Sequence, residues 1–405
     1  MLTYLDHHAT TPCDPAVLET MAPWWHDRCA NASARLHRRS LAAAAAVELA
    51  RGQLATALGM AAEAVVFTSG ATEANNLALA GVAEAAIERG EPRRRLITLG
   101  TEHQAVLQPL AWLARHGFPL EVLPVQPDGL VDLGLLEATI RPDTLMVSVM
   151  AANNEIGVLQ PLEAIASLCR TKGALFHCDA AQAVGHIPLD MERLGIDLLS
   201  LSGHKLYGPP GIGALLVRPG VRLAAQQRGG SQERGLRAGT LPVPLVVGLG
   251  AAVAAAMADL QPRRERLGRL RDKLWRSLEA LGGMRLNGHP SQRLAHNLNI
   301  SVSGVEGAEL HRLLRRDLAV SSGSACSQGQ PSAVLAALGL SRNEASAAIR
   351  FGLGRETTEA DIERAIAAVR QAVAVLRPTR GATPGARPQG AVANPPPPLA
   401  DEDRG

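Results

Sequence analysis

Residues 198–213 read LLSLSGHKLYGPPGIG, and the fold is decided by how this stretch is understood. Leu198–Leu201 is a short apolar run of the kind that makes a buried strand. It breaks into Ser202-Gly203-His204-Lys205 and then into the turn-rich Tyr207-Gly208-Pro209-Pro210-Gly211. A lysine placed directly after a buried strand does little for solubility. Partial desolvation there disfavours its charged form and makes its amine a better nucleophile. Lysine is also scarce: of 41 basic residues only Lys172, Lys205 and Lys273 are lysines. Arginine neither forms a Schiff base nor gives up its proton near neutral pH, so amine chemistry has few addresses in this chain.

On either side of that stretch, apolar runs alternate with helical patterns. Val65–Phe67, Leu96–Leu99, Leu145–Met150, Leu175–His177 and Ala214–Val217 read as further buried strands, with helix-like segments Leu41–Leu58, Asn75–Glu88 and Leu162–Thr171 between them. That alternation predicts βαβ units, an α/β fold with a large, mainly parallel sheet flanked by helices, and ligands at the carboxyl ends of its strands. From about residue 258 the pattern changes to a charged helix (Pro262–Leu281), a strand (Asn297–Val302), a loop (321–332) and a last helix. That helix opens with the capping pattern Thr358 to Asp361 and carries Ile362, Ile366, Val369, Val373 and Leu376 on one face. The expected division is a large domain over 15–257 and a smaller α/β domain from 1–14 and 258–378. Residues 379–405 form a Pro- and Gly-rich tail with too few large apolar residues to make a core, and disorder is expected there.

Composition narrows the classes of function. A net charge of +3, from 41 basic against 38 acidic residues, gives no nucleic-acid footprint, and Arg93-Arg94-Arg95 reads as a solvated turn. The five cysteines (Cys13, Cys29, Cys169, Cys178 and Cys326) make no CxxC pair, and Met1–Pro12 is no secretory signal; a reducing, cytoplasmic setting is expected. Ala238–Ala258 is uncharged, yet Pro242, Pro244 and many small residues make it a buried helix of a soluble protein rather than a membrane span.

Two more strand ends carry polar groups. Val65–Phe67 leads into Thr68-Ser69-Gly70-Ala71-Thr72-Glu73, where backbone N–H groups at a helix start suit a phosphate, although helix caps use the same residue types. Leu175–Cys178 ends in Asp179, with Gln182 three residues on. A carboxylate at the end of a buried strand needs a partner, either a helix N-terminus or a protonated ring nitrogen. Phosphate cup, carboxylate and lysine together are what pyridoxal 5'-phosphate asks of a protein. Separately, Ser321-Ser-Gly-Ser-Ala-Cys326 places a thiol among small polar residues, unlike a core cysteine.

With those stretches on the page, a family resemblance can be stated. FTSGATEANN (67–76), TEHQAVL (101–107), NNEIGVLQP (153–161), HCDAAQAVG (177–185), SGHKLYGPPGIG (202–213), ERGLRAGT (233–240) and SSGSAC (321–326) resemble cysteine desulfurases. These belong to the class V aminotransferase group of fold-type-I pyridoxal-phosphate enzymes, and the likeness runs from about residue 3 to 378. The resemblance implies that Lys205 carries the cofactor as a Schiff base and that Asp179 pairs with its ring nitrogen. It implies phosphate contacts from Ala71, Thr72, Ser202 and His204, and from Thr240 across the interface of a homodimer. Asn153 and Gln182 would touch the ring and its hydroxyl, and His103 would stack on it and move protons. Arg350 would clamp the substrate carboxylate, assisted by Asn31.

Cys326 would take sulfur from L-cysteine as a persulfide, release L-alanine, and pass the sulfur to an acceptor protein, an iron–sulfur scaffold or a tRNA-thiolation enzyme. No resident metal is implied, only transient iron–sulfur ligation by Cys326 with a partner. No nucleic acid or membrane is an expected partner. Two departures stand out: Ala30–His37 carries one residue more than the family's Asn-to-His spacing, and Arg237-Ala238-Gly239-Thr240 replaces Arg-Ser-Gly-Thr. The nearest rival activity is selenocysteine lyase. A different class is suggested by Asp6-His7-His8, which resembles the opening of metal-dependent phosphoesterases, but no adequate set of further ligands accompanies it.

Overall fold

A computed structural model describes residues 2–34, 36–322 and 332–377; Cys326 and the tail from 379 lie outside these residues. Along the chain the strands are β1 (Thr3–Tyr4), β2 (Val65–Thr68), β3 (Arg95–Leu99), β4 (Leu120–Leu123), β5 (Thr144–Ser148), β6 (Leu175–Asp179), β7 (Leu198–Ser202), β8 (Gly213–Val217), β9 (Met284–Leu286), β10 (Asn297–Val302), β11 (Leu318–Ala319) and β12 (Ala348–Gly352).

Strands β2 to β8 form a seven-stranded sheet in the order β2-β8-β7-β6-β5-β3-β4. Only β8 runs against its neighbours, so the other strands end along one edge. Apolar clusters cover both faces, one built around Phe67, Val147, Phe176 and Leu199, the other around Val66, Leu96, Met146 and Leu198. Alternate residues of one strand thus serve opposite faces, as the two-residue period requires. Within this sheet, β4 is the strand that the apolar-run reading does not find. It lies at the sheet margin, where Val122 is 49% exposed, so it lacks the continuous burial that marks its neighbours.

Gly213 shows how tightly the sheet closes around the lysine strand: a Cβ there would lie 2.7 Å from the Cα of Gly70. Small residues do the same between helices. A Cβ on Gly250, in the helix Val243–Ala258, would lie 2.7 Å from Ala50 Cα in the helix Arg38–Ala57. The alanine-rich composition therefore buys close helix packing. Among the described residues no single helix is long and apolar enough to cross a membrane; Val243–Ala258 meets the charged Leu260–Glu279 at a bend of 71°.

Strands β12, β10 and β9 make a three-stranded antiparallel sheet. Its core includes Leu274, Ile300, Phe351 and Ile366, which joins the helices Leu260–Glu279 and Glu359–Leu376 to it. Thr358 and Asp361 form the reciprocal cap on the last helix. β1 pairs with β11, and Asp6 bridges to Gly352, so the amino-terminal segment runs along this smaller sheet. It then crosses to the lysine loop, where Thr11 N–H donates to the His204 carbonyl at 3.0 Å.

Candidate active site

A cavity of about 430 Å³ opens where the carboxyl ends of β2, β3, β5, β6 and β7 meet the amino-terminal segment and β12. It is lined at one end by Ser69 to Thr72, Ser202 and His204. Asp179, Gln182, His103 and Lys205 line its middle, and Asn154 and Arg350 its far end.

The first end is built from a helix start. β2 stops at Thr68, and the 18-residue helix Ala71–Glu88 begins after Gly70 with no side chain capping it. Its first N–H groups and the positive end of its dipole therefore face the cavity. β7 adds Ser202 and then His204, whose Nδ1 lies 3.1 Å from Thr10 Oγ1. Burial, then the charge of Lys205, pushes His204 down to about 4, so the ring is neutral at ordinary pH.

In the middle, Lys205 Nζ donates to the carbonyls of His8 (2.6 Å) and Ala9 (2.7 Å). Asp179 is 6% exposed and accepts from Asn75 Nδ2 at 2.7 Å and from Ala181 N–H at 2.9 Å, one donor on each oxygen. Each oxygen keeps a lone pair for a further donor. Glu102 lies nearby but differs: Met150 N–H donates to its Oε1, while its Oε2 is buried with no partner among the described residues. Burial, with Asp179 adding to it, raises Glu102 well above the usual carboxyl range. His103 caps the helix Gln104–Ala114, accepting from Ala105 N–H at Nδ1, which leaves the neutral ring's proton on Nε2. Burial lowers its pKa, against the attraction of Asp179.

At the far end Arg350, 1% exposed, donates from Nη2 to Asp6 Oδ1 and from Nη1 to the Asn154 carbonyl, both at 2.9 Å. Its Nε is buried and has no hydrogen-bond partner among the described residues. The other Asp6 oxygen accepts from Ser321 Oγ at 2.9 Å. Both Asp6 oxygens are thus engaged within the protein.

Of the residues singled out from the sequence, Ala71, Thr72, His103, Asp179, Gln182, Ser202, His204, Lys205 and Arg350 share this cavity. Asn153 is not among the residues lining it. Its Oδ1 accepts from Glu155 and Ile156 N–H and its Nδ2 donates to the Thr101 carbonyl, so the side chain is spent on closing a turn. The next residue, Asn154, faces the cavity instead. Asn31 is exposed, with Oδ1 accepting from Ser33 N–H, and does not line the cavity; Thr240 is exposed and also lies off it.

The class-V aminotransferase model matches residues 3–365 of this chain. The chain belongs to that family, in its cysteine desulfurase branch. A cysteine desulfurase IscS of Shewanella sp. (strain W3-18-1) is 47% identical over 380 residues, covering 92% of this chain and 93% of the relative. That of Dechloromonas aromatica (strain RCB) is 46% identical over 378 residues, with the same coverage. Among solved structures, a NifS-like protein superposes with a TM-score of 0.87 at 35% identity, covering 93% of this chain and all of that one. DndA from Streptomyces lividans does so at 0.73 and 38% identity, covering 86% and 99%.

Pyridoxal phosphate is the family's cofactor, and the donor set fits it. An uncapped helix start with a hydroxyl and a neutral imidazole suits the phosphate, a buried carboxylate suits a ring N–H, and an amine suits the aldehyde. Asn75, Glu102, Asn154, Asp6 and His8 were not assigned roles from the sequence. Each lies inside or beside a quoted motif, but only the fold shows which way it faces.

Proposed function

We propose that this chain takes sulfur from L-cysteine, releases L-alanine and keeps the sulfur as a persulfide on Cys326. The observation that supports this most is one cavity lined by Lys205, Asp179, an uncapped helix start and Arg350. Bound pyridoxal phosphate supplies an electron sink that acidifies the Cα–H of an amino acid attached to it. Lys205 holds the cofactor, and Asp179 keeps a proton on its ring nitrogen. Ala71 and Thr72 N–H groups, with Ser202 and His204, take the phosphate. Arg350 binds the substrate carboxylate, for which its Nε, without a partner among the described residues, offers a further N–H. Lys205 would move the proton at Cα, and His103 would be a second group for that transfer.

The Cys326 thiolate attacks the substrate sulfur and the Cβ–S bond breaks. A proton delivered to Cβ completes alanine, and the one sulfur atom lost by cysteine is gained by the enzyme thiol, with no external oxidant. Cys326 then hands the sulfur to an acceptor protein, an iron–sulfur scaffold or a tRNA-thiolation enzyme. A homodimer is part of the proposal, because Thr240 is exposed and off its own cavity, as a residue serving a second cavity would be. So is a cytoplasmic setting, which the free thiols of Cys13, Cys29, Cys169 and Cys178 favour. The bend after Ala258 supports a division into a large domain (15–257) and a small one (1–14, 258–378).

Two variants test the reading. Lys205→Ala should lose the covalent cofactor chromophore, and Cys326→Ser should keep it while alanine release from L-cysteine stops. A persisting reducible bond in the first, or undiminished alanine from the second, would remove the residue concerned from the mechanism.

A further inference from the structure

His8 takes no part in the steps above, yet two cavity residues are bound to it. Gln182 Nε2 donates to the His8 carbonyl at 3.0 Å, and Gln182 Oε1 lies 3.0 Å from His8 Nδ1. Lys205 Nζ donates to the same carbonyl at 2.6 Å. One residue therefore grips the Gln182 amide at both ends and shares its carbonyl with the lysine.

The proton positions follow from the partners. Arg293 Nη2 donates to Asn297 Oδ1 at 3.0 Å, which makes Asn297 Nδ2 the donor of that amide. Asn297 Nδ2 donates to the Glu155 carbonyl and lies 3.1 Å from His8 Nε2, so Nε2 accepts. The ring's proton is then on Nδ1, and Gln182 Oε1 receives it as a hydrogen bond. A doubly protonated ring would set N–H against N–H at Asn297; burial first, then the charge of Arg350, holds His8 well below 6.5. The ring is also held from its face. It stacks on His296 with centroids 4.6 Å apart, His296 stacks on His186 at 4.2 Å, and His186 Nε2 donates to the Lys205 carbonyl at 2.9 Å.

An amide left to itself exchanges its oxygen and NH2 by a half-turn at little cost in shape. The ring oxygen of pyridoxal phosphate is an acceptor, so it needs the NH2 side. We propose that His8 is a positioning residue that fixes the Gln182 amide with its remaining Nε2 N–H available to the cofactor's ring oxygen. The inference rests on the cofactor reading above.

The test is titration of apo-protein with pyridoxal phosphate, following the absorbance band of the bound cofactor, for wild type, His8→Ala, His8→Asn, Gln182→Ala and the His8→Ala/Gln182→Ala double variant. Asparagine puts an amide nitrogen close to where histidine has Nδ1, so it keeps the donor to Gln182. His8→Ala should weaken cofactor binding about tenfold and move the band, the loss of one buried hydrogen bond with its orientation. His8→Asn should recover affinity to within about threefold, and the double variant should bind about as Gln182→Ala does. His8→Ala and Gln182→Ala losses that add in full, or wild-type affinity and band in His8→Ala, overturn the inference. If His8→Ala does not fold, His8→Asn decides: binding as weak as that of Gln182→Ala overturns it. A wild type that binds no pyridoxal phosphate overturns the cofactor reading and this inference together, whereas normal wild-type binding with an indifferent His8 overturns this inference alone.

Discussion

At one end of the cavity, the groups that would meet an anion are backbone N–H groups, a hydroxyl and a neutral imidazole; at the other stands a buried guanidinium that already has a carboxylate. The helix start at Ala71 has no side-chain cap on its first N–H groups. Arg350 is 1% exposed and shares its N–H groups between Asp6 and the Asn154 carbonyl. The contrast matches the two tenancies expected of the site. A resident cofactor is best held by fixed dipoles that need no rearrangement. A transient substrate is better met by a charge whose internal partner can be shared or exchanged.

That contrast can be broken most readily at Arg350. Arg350→Lys keeps the charge but loses the planar fork, and kcat/KM for L-cysteine should fall about fiftyfold, while the cofactor Kd stays within about twofold of wild type. A cofactor defect of equal size would mean that the two ends are not separate. Ser202→Ala should do the reverse, raising the cofactor Kd about fivefold and leaving KM for L-cysteine in place. Steady-state kinetics with saturating cofactor, beside a cofactor titration, distinguish the two patterns. Asp6→Asn sharpens the comparison further. With the competing charge gone, KM should fall about threefold, while the melting temperature drops because the Arg350 cation loses its counter-charge. A raised KM would show that Asp6 orients Arg350 more than it competes for it.

The smallest effect within the working range concerns pH. Burial lowers His177 to about 3 and His186 and His204 to about 4, all below the usual 6.5. The unfolded chain therefore takes up protons first as pH falls below 6.5. Stability contributed by these neutral rings is complete above that value and is lost progressively toward pH 4. Melting temperature should decline gently from pH 7 to 6 and more steeply toward 5; a flat profile would mean that the rings are not held neutral.

How far the sequence reaches differs along the chain. β6 and β7 are readable because a mainly apolar run gives way to Asp179 or to Ser202 and Lys205. β4 is not, since Leu120–Leu123 is a margin strand with no such contrast. Asn153 and Asn154 are adjacent and chemically alike, and only the turn that consumes the Asn153 amide decides which faces the cavity. Asn75 and His8 act on Asp179 and Gln182 from over a hundred residues away, a pairing made by the sheet order and the crossing amino-terminal segment. Thr240 belongs to a motif whose proposed role needs a second chain.

The central claim is that this cavity holds pyridoxal phosphate on Lys205. Reduction of the holoenzyme with borohydride, digestion and mass mapping test it directly, because only three lysines can carry the label. The account predicts a stable phosphopyridoxyl group on the peptide containing Lys205 alone. Label on Lys172 or Lys273 in its place, or an unlabelled protein, would contradict it.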